Sequence, residues 1–116
     1  MTRTVFSTLP LLVALGACAS TVPAPRAELD HAASAIAQAA DEGATREGQS
    51  LDYLRAARQE LSMARRLAAH QRMDRARSMA RRAEADAMVA RSLARERDVA
   101  HAGMSATEAR REEEDQ

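Results

Sequence analysis

Few side chains in this 116-residue chain are placed to do chemistry. Cys18 is the only thiol, so no disulfide can form within the chain, and the thiol is left for a covalent attachment of another kind. Arginine is the second resource. Between Arg55 and Arg82 stand nine arginines against two acids, Glu60 and Asp74. Arg58, Arg65 and Arg72 recur every seven residues, a spacing that puts them on one helix face as planar donors suited to phosphate or carboxylate. The same spacing also fits a solvated face whose aliphatic stems cover apolar surface. His31, His70 and His101 are far apart, without an HExxH pattern or a second cysteine, so no metal site is predicted. Ser34, Ser50, Ser62, Ser78 and Ser92 lie in helical contexts with no nucleophile-elbow glycines, and there is no glycine-rich phosphate loop. The chain is therefore not expected to be an enzyme.

The residues leading to Cys18 read as an export signal. Arg3 is followed by an apolar stretch from Val5 to Leu15 and by the small residues Gly16 and Ala17. A permanent membrane-spanning helix needs about 20 apolar residues; this run is shorter and Pro10 interrupts it. Leu15-Gly16-Ala17-Cys18 resembles the lipobox of bacterial lipoproteins. That resemblance implies diacylglycerol on the Cys18 thiol, cleavage just before it, and an acyl chain such as palmitate on the new amino group, with no other cofactor. Each buried methylene adds about 0.8 kcal/mol, so two or three chains make a lasting anchor. Ala19 stands where an aspartate marks inner-membrane retention, so the resemblance implies the outer membrane of a Gram-negative bacterium, facing the periplasm.

Helices must position whatever these residues do. Ala, Arg, Glu, Leu and Met dominate, and the residues that fill strands are scarce. From Cys18 onward there are sixteen larger apolar side chains and neither Phe nor Trp, so the core is small and rich in alanine. Acidic and basic residues balance at 17 each, which argues against a nucleic-acid partner. Residues 18–24 form the lipidated cysteine and an extended tether; the stretch from Ser20 to Pro25 lacks periodicity and carries two prolines. A first helix is predicted from Pro25 to Glu42, with Leu29, Ala33, Ile36 and Ala40 on its buried face. Gly43 to Gln49 is a linker, and Ser50 can cap the second helix. There Leu54, Ala57, Leu61, Ala64 and Ala68 form a seam, widened by Leu51 and Leu67, as far as about His70. In a third helix Ala76, Ala80, Ala83, Ala87, Ala90 and Ala94 alternate in steps of four and three, flanked by Met79, Val89 and Leu93. The short connection at Gln71 and Arg72 makes helices two and three antiparallel neighbours. The expectation is an all-α domain over residues 25–102: an antiparallel helical hairpin plus one N-terminal helix, joined by Ala-rich, coiled-coil-like seams. Residues 103–116, with Gly103 and the run EARREEEDQ, are expected to be a charged flexible tail.

Leu54-x-x-Ala57-Arg58-x-x-Leu61-x-x-Ala64, then Met73-x-x-Ala76 and Ala80-x-x-Ala83-x-x-Asp86-Ala87, resembles the small envelope lipoproteins that carry the domain of unknown function 4398. Ala33-x-x-Ile36-x-x-Ala39 ahead of Gly43-Ala44 extends the likeness over about residues 25 to 95. The resemblance implies a tetratricopeptide-like hairpin and an envelope address, without a settled activity. The chain departs from the family pattern at the interhelical turn, where Gln71-Arg72 replaces the usual Gly-Asp. It also lacks the proline often seen early in helix two, and no further domain is expected after the hairpin. Two roles follow. One is an outer-membrane-anchored adaptor that binds another envelope protein or a second copy, with Arg58, Arg65 and Arg72 open to peptidoglycan or anionic lipid. The other is a structural oligomeric spacer between outer membrane and cell wall; with no lysine in the chain, its wall contact would be non-covalent.

Overall fold

A computed structural model describes residues 22–46 and 48–115. They form an all-α structure with no strand among them: α1 (Arg26–Ala39), α2 (Gln49–Ala69) and α3 (Met73–Glu114). A π-helical turn, Ala40–Ala44, follows α1 directly.

Each helix buries one stripe whose members alternate in steps of four and three. In α3 it is Ala76, Ala80, Ala83, Ala87, Ala90 and Ala94, all with zero exposure. In α2 it is Ser50, Leu54, Ala57, Leu61 and Ala64. In α1 it is Ala32, Ile36 and Ala39, preceded by the half-buried Leu29 and the fully buried Pro25. The repeat is that of a coiled coil. Cross-links fix the directions. Glu60 of α2 meets Arg82, and Arg46, just before α2, meets Asp98, so α2 runs antiparallel to α3. Glu28 meets Arg77 and Glu42 meets Arg91, so α1 runs parallel to α3.

Two turns depend on backbone placed at positive φ. At the end of α2, the Arg72 N–H donates to the Leu67 carbonyl at 2.9 Å and the Gln71 N–H to that of Ala68 at 3.0 Å. This pair of bonds is the Schellman closure, which requires a left-handed residue, and Gln71 supplies it at φ 59°. At the start of α2, Gly48 has φ 108° and ψ −169°, a region open essentially to glycine alone.

Four expectations change. The α1 face is centred on Ala32 and Ala39, while Ala33 and Ala40 are only partly buried. Adjacent alanines offer no hydropathy contrast, so Leu29 and Ile36 alone could not set the register. Ser50 does not cap α2: Gly48 holds that place without a side-chain bond, and Ser50 is the first buried residue of the α2 seam. Arg72 is not on α2, which ends at Ala69. Finally, the segment expected to be a flexible tail from residue 103 is helical to Glu114. It adds turns to a helix already nucleated in the bundle, so only propagation is needed, and Ala, Arg and Glu favour it. One glycine, Gly103, weakens such a helix by about 1 kcal/mol without ending it.

Substituting Ala87→Leu forces a large side chain into a fully buried place of the α3 seam and is expected to lower stability by about 1 to 3 kcal/mol in urea unfolding. Ala100→Leu, on the exposed part of α3, is expected to stay within about 0.5 kcal/mol of the parent. The turns give opposite signs: Gly48→Ala, where no atom stands within 4 Å of the new Cβ, is destabilising by about 1 to 3 kcal/mol through backbone strain alone. Gln71→Gly relieves a left-handed residue and is expected to stabilise by up to about 1 kcal/mol.

Candidate functional site

Because alanines line α3, long side chains on the rims can span the gap between helices. Arg77 Nε donates to Glu28 Oε1 at 2.9 Å, and Arg77 Nη2 to the Pro23 carbonyl at 3.3 Å. This pins the start of α1, and the chain just before it, beside the first turns of α3. At the other end of α1, Glu42 is held by Arg91, at 2.6 Å, and by Arg95. Arg91 also donates to Gln38 Oε1 at 3.0 Å. Arg97 Nη2 donates to the Gly43 carbonyl at 3.0 Å, closing the π-helical turn onto α3.

These pairings set the acidity of the carboxylates. The hydrogen bonds from Arg91 and then Arg95 hold the Glu42 carboxyl down at about 2. Glu28 is also below the usual range, chiefly through a bond from its own backbone N–H and then through Arg77. Glu60, between α2 and α3, goes the other way: burial pushes its carboxyl up, and the nearby Asp86 carboxylate adds to the rise. Arg82 binds one Glu60 oxygen, while the other, Oε2, is buried with no partner.

Five of the arginines that make no ion pair collect at one end. Arg65 and Arg66 lie one turn before the end of α2, Arg72 is in the α2–α3 turn, and Arg75 is in the first turn of α3. Arg26 opens α1 beside them. All five are exposed, and none lies within ion-pair distance of a described carboxylate. Asp74, the acid of the turn, is engaged by Arg77 at 3.4 Å.

The sequence-predicted residues are thus redistributed. Leu15, Gly16, Ala17 and Cys18 lie outside the described residues. Arg58 and Arg65 are both exposed on α2, but the three-membered stripe is broken because Arg72 belongs to the turn. What forms instead is a basic tip of Arg65, Arg66, Arg72 and Arg75, joined by Arg26. Sequence spacing missed Arg26, Arg66 and Arg75, because their proximity comes from a chain reversal; the run of arginines from Arg65 to Arg77 was the available signal. His31, His70 and His101 sit on three different elements, and no group of three metal-binding side chains exists among the described residues. His31 borders a groove between α1 and α3 that Glu84, Met88 and Arg91 also line. No described helix is long and apolar enough to cross a membrane. The far end is opposite in sign: from Glu108 to Asp115, exposed α3 carries five acids and two arginines.

Comparison with protein-family models, curated proteins and solved structures finds no match to this chain.

The opposite pKa displacements give an acid-unfolding signature. Glu42 titrates lower folded than at its ordinary 4.5, so its stabilisation is present above that value and is lost as the pH falls towards 2. Glu60 titrates higher folded, so its ionised form weighs against the fold at neutral pH, and relief comes on acidification. Thermal unfolding followed by circular dichroism is expected to show Glu42→Gln melting below the parent at pH 7, with the gap closing towards pH 2. Glu60→Gln is expected to melt at or above the parent at neutral pH, with its difference fading as the pH falls. Parallel losses in both variants at every pH would contradict this assignment.

Proposed function

We propose that this chain is a lipid-anchored, non-enzymatic helical interaction module of the bacterial cell envelope, held at the outer membrane and facing the periplasm. The anchor is diacylglycerol on Cys18, with an acyl chain on its amino group after residues 1–17 are removed. The observation that carries the reading is the placement of the only thiol in the chain directly after an apolar run and the small pair Gly16-Ala17. The domain of unknown function 4398, whose pattern the helices resemble, agrees with this address.

The adaptor role is supported by how the bundle ends. The α3 seam stops at Ala94, because its next two places are Arg97 and His101, yet the helix goes on. Residues 99–114 of α3 are exposed throughout, including Val99 and Met104. A single helix of this kind, about 24 Å long at 1.5 Å per residue, offers all its faces to an envelope protein or a second copy. Self-association through it would instead make the chain an oligomeric spacer that meets peptidoglycan non-covalently. Sedimentation of the purified protein separates the two, a monomer or weak dimer favouring the adaptor and a stable elongated trimer the spacer.

Intact mass spectrometry of the chain isolated from its native membrane tests the anchor. The expected species starts at Cys18 and carries the mass of diacylglycerol and one further acyl chain. An uncut leader or an unmodified thiol overturns the reading.

A further inference from the structure

The α2–α3 turn is the end of the bundle from which the tether leaves. Pro25 is fully buried at the foot of α1, and Arg77 of α3 binds the Pro23 carbonyl, so residues 22–24 lie beside that turn. From Cys18 to Val22 the chain can span at most about 14 Å. Whatever holds Cys18 therefore lies close to Arg26, Arg65, Arg66, Arg72 and Arg75, while the five acids of the α3 terminus lie at the opposite pole.

We propose that this basic tip docks on the phosphate groups of an anionic membrane surface, so that the bundle stands on its α2–α3 turn and α3 points away from the bilayer. The chemistry fits. Guanidinium groups bind phosphate oxygens through paired donors and are only weakly hydrated, so little is lost in bringing them to a charged interface. Their attraction acts over a Debye length of about 8 Å, a distance the tether permits and the far end cannot reach. Each basic residue held near such a surface strengthens association about fivefold. Were the rod to lie down, the acids of the distal pole would come within that Debye length of the same surface and be repelled, which adds to the preference for one orientation. An acidic protein would find the same guanidinium groups, but the exit of the tether at this pole favours the membrane. The inference rests on the lipid-anchor reading for the direction in which the tip faces.

The chain has no tryptophan, so Ala69→Trp at the tip and Ala109→Trp on the α3 extension, both at exposed positions, make clean reporters. Energy transfer from each to a headgroup-labelled lipid is measured with the full chain on phosphatidylglycerol-containing and on pure phosphatidylcholine vesicles. The tip reporter is expected to give several-fold more transfer with phosphatidylglycerol, falling to the phosphatidylcholine level in high salt or when Arg65→Gln, Arg66→Gln, Arg72→Gln and Arg75→Gln are combined. The distal reporter is expected to stay low throughout. Helicity by circular dichroism checks that the combined variant is folded, and the residues before α1 are common to all samples, so they cancel. Equal transfer on both vesicle types, insensitivity to the four substitutions, or a distal signal matching that of the tip overturns the proposal. So does a chain that leaves the vesicles for soluble polyglutamate, which would assign the tip to an acidic protein. The mass of Cys18 in the same preparation reports on the anchor separately, because tip contact is read by its dependence on charge whether or not lipid is attached.

Discussion

The contact between helices rests on six methyl groups. Ala76, Ala80, Ala83, Ala87, Ala90 and Ala94 are the whole buried stripe of α3, and each has zero exposure. How near two helices can come is set by the side chains between them, and methyls allow the α1 and α2 backbones to lie close to α3. Two consequences follow. The volume of the core must come from the opposite side, from Leu54 and Leu61 of α2 and Ile36 of α1. The rims are also brought within reach of one another, so that Glu28, Glu42 and Glu60 each find an arginine of α3. With larger residues on α3 these pairs would be held apart. The ion pairs are thus products of the alanine seam rather than its cause, and their modest worth at a solvated rim agrees with that order.

How far the fold was legible follows from contrast along each helix. In α3 six alanines recur in steps of four and three over about five turns, and all six positions are buried even though Met79, Val89 and Leu93 stand beside three of them. In α2 the leucines marked the face, and Leu54, Ala57, Leu61 and Ala64 are buried as their spacing predicts. In α1 the pairs Ala32-Ala33 and Ala39-Ala40 are equal on any hydropathy scale; only packing against α3 distinguishes them. The α2 cap was misread for a related reason. Ser50 suits a cap, but its place in the seam and the unusual backbone of Gly48 decide otherwise, and neither leaves a local trace.

The arginines show the same limit at the level of the site. A seven-residue period presumes one uninterrupted helix, and α2 ends three residues before Arg72. The turn replaces a linear stripe by a cluster at a chain reversal, where Arg65 and Arg66 on one helix approach Arg72 and Arg75 leading into the next. The partners Glu28–Arg77 and Glu42–Arg91 are each separated by 49 residues, a constant offset that exists because α1 and α3 run parallel. An offset of that kind becomes visible only once the topology is known.

Charge is where the sequence average misleads most. The net formal charge is zero, which by itself argues against any strong field. Along the bundle axis, however, unpaired arginines gather at the α2–α3 turn and carboxylates at the end of α3. Between them, Glu28, Glu42 and Glu60 are each paired with an arginine of α3. α3 joins the two poles as a single helix of 42 residues, about 63 Å long at 1.5 Å per residue. A continuous helix of that length carries a constraint at one end into a direction at the other. Under the proposed docking, holding the basic pole would set the direction of the whole molecule and carry the exposed turns from Val99 onward to one side. The early end of the bundle, imposed by Arg97 and His101 in the seam, and the continued helix beyond it are therefore complementary parts of one arrangement. The packed part fixes the orientation of α3, and the bare part leaves every face of the helix exposed beyond it.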